Sequence, residues 1–207
     1  MTEMTVTEVE PISKTRSRVY VDGTAAFILY KGELRKYQIR EGGELTEDVW
    51  QELQTEVLPK RARLRAMNLL KGRQYTQRQL MDKLLLGGYS QEMAQEAVDY
   101  VKSYHYVDDA RYAYDYISCR MGSHSLKEIE QKLLQKGVCR EVIRSAVEEL
   151  AGDGFVSDEE AMIRRLLEKK HYSSEHASEK ERQRMYGYLY RKGFSMDTAR
   201  RVMEEMD

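Results

Sequence analysis

Apolar positions along most of this chain fall on one side of a helix, and the same stripe is written more than once. Leu80, Leu84 and Leu85 stand at i, i+4 and i+5, and Ile129, Leu133 and Leu134 repeat them 49 positions later. Spacing of that kind buries one helical face and leaves the other to water. Each stripe ends in a glycine followed by an apolar residue: Gly88-Tyr89, Gly137-Val138 and Gly193-Phe194. Glycine accepts the left-handed conformation just past a helix, and the next apolar residue packs back on the last turn. Thr76 with Gln79 and Ser125 with Glu128 have the spacing of a capping box at the other end. A second helix then opens at Ser90, Cys139 or Ser195, and in the first copy Met93, Ala97, Val98 and Val101 turn inward. The pattern predicts helices over 61–72, 76–86, 90–105, 108–121, 125–136, 140–151, 158–170, 178–192 and 195–206. No strand is needed after residue 45.

The recurrence extends to whole phrases. "KLLLGGYSQEMAQEAV" (83–98) aligns with "KLLQKGVCREVIRSAV" (132–147), and Val107 and Asp109 align with Val156 and Asp158. A third copy, "YLYRKGFSMDTARRVM" (188–203), has its glycine seven residues later than the period requires, which points to a lengthened loop around "HYSSEHA". Self-similarity at a fixed period signals stacked supersecondary units, and three is the number at which such stacks become stable. Asp108 and Ser157 are placed to cap the first helices of the second and third copies, with Glu160 closing a capping box.

The front of the chain has a different rhythm. Asp22-Gly23 separates two runs rich in β-branched and aromatic residues, a strong hairpin signal, and "TVTEVE" offers a third strand. A turn is expected at Gly42-Gly43, a helix opening at Thr46, and a break or kink at Pro59. The expected fold is mainly α: three tandem three-helix repeats in an elongated curved array, preceded by a small β-hairpin or sheet module. Its segments are 1–45 (the β module), 46–107 (a linker helix and the first repeat), 108–156 and 157–207.

Composition narrows the function. Of 207 residues a third are charged, two are proline and two are cysteine. Cys119 and Cys139 provide neither a disulfide framework nor a paired metal motif. No run approaches the roughly 20 apolar residues of a membrane span, and "MTEMTVTEVEP" (1–11) lacks the basic flank and apolar run of a signal peptide. A cytoplasmic protein is expected. The net charge of −1 argues against a grip on nucleic acid by charge alone. Its distribution is uneven, however. Residues 60–90 hold eight bases and one acid, and residues 91–118 hold six acids and two bases. Local fields of this kind orient a partner even when the sum is near zero.

No active site emerges, and no cofactor or metal is expected. Asp108 and Asp109 are better read as helix caps than as an acid–base pair, because their position recurs in the next repeat. The four histidines lack ligand spacing. Cys139 takes the place of a capping serine at a helix N-terminus, where a thiol is either a weak cap or a reactive group. The crowded tyrosines Tyr100, Tyr104, Tyr106, Tyr112, Tyr114 and Tyr116 admit three readings: inter-helix core, protein interface, or base stacking.

Thr76, Leu80, Lys83, Leu84 and Gly88, with their counterparts Lys132, Leu133 and Gly137, lead into "YVDD" (106–109) and "FVSD" (155–158). These tandem units resemble the RecX family over residues 60–207, and the front segment is similar to the extension of many members. The third copy departs, with Tyr188 in place of the lysine. The resemblance implies a non-enzymatic regulator that binds the RecA recombinase filament on single-stranded DNA, and a monomer is expected. It implies suppression of ATP hydrolysis and strand exchange and limited filament growth, while the near-zero net charge leaves room for weak direct nucleic-acid binding. Candidate contact residues are Arg61, Arg65, Arg73, Arg78, Lys83, Lys127, Lys132 and Lys136, which would line stacked repeats with positive charge, and Tyr104, Tyr112 and Tyr116. Arg61 and Arg65 are one turn apart and are expected on the polar face of their helix, while Arg78 has Asp82 at i+4 as a local partner. A helical nucleic-acid-binding protein and a generic repeat scaffold are the competing readings.

Overall fold

The computed structural model describes residues 4–155 and 157–206. The chain forms two compact units, Met1–Val107 and Asp108–Asp207, so the front module and the first repeat share one unit.

Three strands open the first unit: β1 (Met4–Pro11), β2 (Arg16–Val21) and β3 (Thr24–Tyr30). Asp22 and Gly23 both adopt positive φ, 50° and 78°, as the two-residue turn between β2 and β3 requires. After the short helix α1 (Lys31–Lys36), β4 (Glu44–Leu45) completes an antiparallel sheet in the order β3-β2-β1-β4. Alternation in β2 sends Ser17, Val19 and Val21 inward. The sheet buries Val6, Val19, Val21, Phe27 and Leu29 together with Leu53 and Leu58 of the following helix.

That helix runs through α2 (Glu47–Glu52), a π-helical turn at Leu53–Val57, and α3 (Leu58–Leu70). The break expected at Pro59 does not occur. The wide turn comes first, with the Leu58 amide bonded to the Leu53 carbonyl, and Pro59 lies buried in the first turn of α3. Proline has no N–H for the carbonyl four residues back, and a shift of register just before it accommodates that loss. Helix α1 was not foreseen either. It is a short helix of six residues without apolar periodicity, closed at its start by the Tyr30 amide donating to the Glu33 carboxylate at 2.7 Å.

The first repeat comprises α3, α4 (Gln77–Leu85) and α5 (Gln91–Ser103), packed around Ala62, Ala66, Leu80, Leu84, Ala97 and Val101. Thr76 and Gln79 close their capping box, at 3.2 and 3.3 Å. The second unit holds α6 (Asp109–Ser118), α7 (Leu126–Gln135) and α8 (Arg140–Gly152), then α9 (Glu159–Lys169), α10 (Glu179–Arg191) and α11 (Met196–Glu204). Separate cores form around Ile117, Ile129, Leu133 and Leu150, and around Ile163, Leu167, Leu189 and Val202.

The caps follow the expected logic, with three corrections. Asp108 accepts from the amides of Ala110 and Arg111. In the third repeat the cap is Asp158, which accepts from the Ala161 amide at 2.9 Å, while the buried Ser157 hydroxyl makes no hydrogen bond. A carboxylate attracts the first amides of a helix more strongly than a hydroxyl, and the two compete for the same donors. Ser125 caps α7, but Glu128 does not reach back to close the box, because its carboxylate is bound to two lysines. Cys139 flanks α8 with no capping bond from its thiol. The extra residues of the third repeat are spread out rather than gathered in one loop. Helix α10 has 13 residues against 10 in α7, α9 has 11 against 10 in α6, and the connector at 170–178 exceeds its counterpart at 119–125. Val156, matched in sequence to Val107, lies outside the described residues, as do residues 1–3 and Asp207.

Candidate functional site

The expected contact residues divide between the two units, and their surroundings set them apart. Arg61 is not on the polar face of α3. Its guanidinium bonds the Glu33 carboxylate and the Ile28 carbonyl, and lies 5.1 and 5.5 Å from the rings of Tyr30 and Tyr89. With its side chain only 16% exposed, Arg61 serves as a clamp between sheet and helix. Arg65 and Lys83 are exposed, and Arg73 stacks 4.3 Å over Tyr75. Arg78 pairs with Asp82 at 3.2 Å, one turn away on α4. Such exposed i,i+4 pairs contribute only about 0.3–0.5 kcal/mol and leave the cation accessible to a stronger partner.

In the second unit, α7 meets the end of α10. Glu128 lies between Lys132 at 3.1 Å and Lys192 at 3.5 Å. Burial pushes this carboxyl up, but the Lys132 hydrogen bond and the charges of Lys192, Lys132 and His124 outweigh it, and the net shift is downward. Lys127 lies 5.4 Å from the ring of Tyr190. The Ser125 hydroxyl donates to the Lys192 carbonyl, tying the side chain that caps α7 to the backbone at the end of α10. Lys127, Lys132 and Lys192 thus gather at one inter-repeat seam. Lys192 was missed in the sequence, although a legible signal existed: it precedes Gly193 as Lys136 precedes Gly137.

The tyrosines also separate. Tyr112 and Tyr116 pack on the core of the second repeat, with rings 6.0 Å apart and inclined by 15°. Arg120 lies 3.8 Å over Tyr116, and Lys136 is 5.5 Å from Tyr116 and 6.0 Å from Tyr112. Cations over aromatic faces are held by the ring quadrupole. Arg120 is therefore a further member of this cluster, unforeseen because it lies in the connector after α6, outside the repeated phrases. Tyr104 and Tyr106, by contrast, are 56% and 59% exposed, with rings 6.0 Å apart. A hydrogen bond with Tyr104 raises the pKa of the Tyr100 hydroxyl beside them.

Among the described residues no group of three or more His, Cys, Asp or Glu side chains is arranged to hold a metal ion, and no helix is long and apolar enough to cross a membrane.

Three successive segments match family profiles described as the first, second and third three-helix domains of RecX, over residues 62–100, 108–147 and 158–203. A regulatory protein RecX of Caldanaerobacter subterraneus subsp. tengcongensis is 32% identical over 89% of this chain and 90% of its own. The chain belongs to the RecX family. A regulatory protein RecX from Clostridium botulinum aligns over 99% of the chain and 96% of its own at 28% identity, so the RecX relationship includes the front module. Two solved structures share the fold. One, a crystal structure of regulatory protein RecX, superposes with a TM-score of 0.63 over 96% of this chain and 98% of its own, at 21% identity. RecX from Lactobacillus salivarius gives 0.58 over 72% and 96%, at 19% identity.

Proposed function

We propose that this protein binds the RecA recombinase filament on single-stranded DNA, suppresses its ATP hydrolysis and strand exchange, and limits filament growth. The observation that carries this reading is full-length kinship with relatives named as regulatory proteins, front module included. The protein acts by occupying a surface, not by catalysis. Its helical repeats carry exposed cations at Arg65, Lys83 and Lys127, and a protein built of repeated units suits a periodic partner. It acts in the cytoplasm as a monomer. The test is to add the purified protein to RecA on single-stranded DNA and follow ATP hydrolysis. Dose-dependent suppression is expected, and an unchanged rate at saturating protein contradicts the proposal.

Direct contact with nucleic acid is a second reading, favoured by the cation–tyrosine cluster of Tyr112, Tyr116, Arg120 and Lys136. Stacked rings flanked by cations suit bases and phosphates. Recovery from extract with and without nuclease separates the two: a recombinase partner survives nuclease, and a nucleic-acid partner does not.

A further inference from the structure

The connector between α9 and α10 encloses, with the first turns of α10, a cavity of about 410 Å³. Its wall includes Lys170, His171, Tyr172, His176, Glu181 and Arg184. The segment is fixed by its backbone. His171 takes a left-handed φ of 53°, and the Tyr172 amide bonds back to the Leu167 carbonyl at 3.1 Å. Further on, the Ser174 amide donates to the Met206 carbonyl at 2.8 Å, and Arg182 donates to the Ser174 carbonyl at 2.9 Å. The Ser173 hydroxyl and His176 Nδ1 are 3.2 Å apart. A wall held this way is formed before any ligand arrives.

Its wall is predominantly basic. Lys170, His171 and His176 form no ion pair among the described residues, Lys170 lies 5.5 Å from the ring of Tyr188, and Arg184 interacts electrostatically with Glu181, three residues before it on α10. The acid on the wall, Glu181, is engaged, since its Oε2 accepts from both the Ser178 amide and the Ser178 hydroxyl. An ammonium, a guanidinium and two imidazoles therefore share one cavity with a single committed carboxylate. N–H donors and cations in excess over carboxylates suit the oxygens of a phosphate group.

We infer that this cavity is a phosphate-binding pocket of the third repeat, with Lys170 and Arg184 supplying charge and His171 and His176 supplying ring N–H donors. The ligand is either free phosphate or a phosphate of a nucleic-acid backbone. Neither version requires the recombinase reading, and recombinase ATP hydrolysis is not the readout.

The test is a titration of the full chain with sodium phosphate, following the four histidine ring signals by NMR, against sodium chloride at matched ionic strength. His171 and His176 are expected to shift and saturate with phosphate alone, while His105 and His124 stay still. The double variant Lys170→Gln/Arg184→Gln is expected to bind roughly tenfold or more weakly, with unchanged thermal melting. A parallel titration with oligothymidylate lacking terminal phosphates identifies the source. Movement of the same two signals assigns a backbone phosphate, and movement with inorganic phosphate alone assigns the free ion. Equal effects of chloride, equal shifts at all four histidines, or unaltered binding by the double variant would overturn the pocket.

Discussion

Gly88 and Gly193 end equivalent helices in the first and third repeats, and each is pressed against whatever precedes it in the chain. A Cβ on Gly88 would lie 2.2 Å from Ile28 Cδ1 of β3. A Cβ on Gly193 would lie 2.6 Å from the Ser125 hydroxyl and 3.0 Å from Lys127 Cβ of the second repeat. The sheet therefore occupies, against the first repeat, the place that a repeat occupies against the third. Terminal units of a repeat array need a cap, since nothing else covers their outer face. Here the cap is a four-stranded sheet, and its seam is apolar and clamped by Arg61. The seam at Gly193 is polar, built from the Ser125 hydroxyl and the Lys192 carbonyl, with Glu128 between two lysines. The same helix stop is thus served by two chemistries, one covering a permanent end and the other joining like to like.

Removing the cap is the harshest way to break this comparison. A chain beginning at Thr46 is expected to lose cooperative unfolding of the first unit, because Leu53, Leu58 and Met93 lose their partners. Two resolved melting transitions of undiminished cooperativity in that truncation would contradict the cap. Gly88→Ala and Gly193→Ala come next, each expected to cost about 2 kcal/mol from left-handed strain and overlap. Chemical denaturation should assign the loss to the first unit for Gly88→Ala and to the second for Gly193→Ala. Smaller again is the cap of α9. Asp158→Ala should cost about 1 kcal/mol, while Ser157→Ala, which removes an unpartnered hydroxyl, should be neutral or slightly stabilising. The smallest effect concerns the polar seam. Glu128 has a lowered carboxyl pKa, so its contribution is present above the ordinary value of 4.5 and is lost as the pH falls through the folded-state value. Acid titration of the second unit should therefore show a limb that Glu128→Gln removes, and the first unit should show no change.

What was legible in the sequence was what neighbours in sequence decide. Thr76, Ser90, Ser125 and Ser195 cap helices through amides three residues away, and Gly88, Gly137 and Gly193 end them through carbonyls within one turn. The repeat pattern supplied the rest of the helical core. Features that depend on distant partners were not legible. Arg61 reads as a surface cation until Glu33 and Ile28, about 30 residues upstream, claim it. Glu128 has capping-box spacing, yet Lys192 competes for it from another repeat. Of the contact residues, Lys83 keeps its exposed place, and Lys132 has a structural partner to lose. That distinction sharpens the functional test, because Lys83→Glu should leave folding intact whereas Lys132→Glu would set two carboxylates side by side.

The most direct measurement is a titration of RecA ATP hydrolysis on single-stranded DNA, near physiological salt, with the wild-type protein and a Lys83→Glu/Lys132→Gln variant. The wild type is expected to suppress hydrolysis in proportion to its concentration. The variant, with matching helicity and at most a slightly lower melting temperature from the lost Lys132–Glu128 pair, is expected to need several-fold more protein for the same suppression, since contact charges persist where long-range fields are screened. Coincident curves would contradict contact through these repeat-equivalent lysines, and no suppression by either protein would contradict recombinase regulation itself.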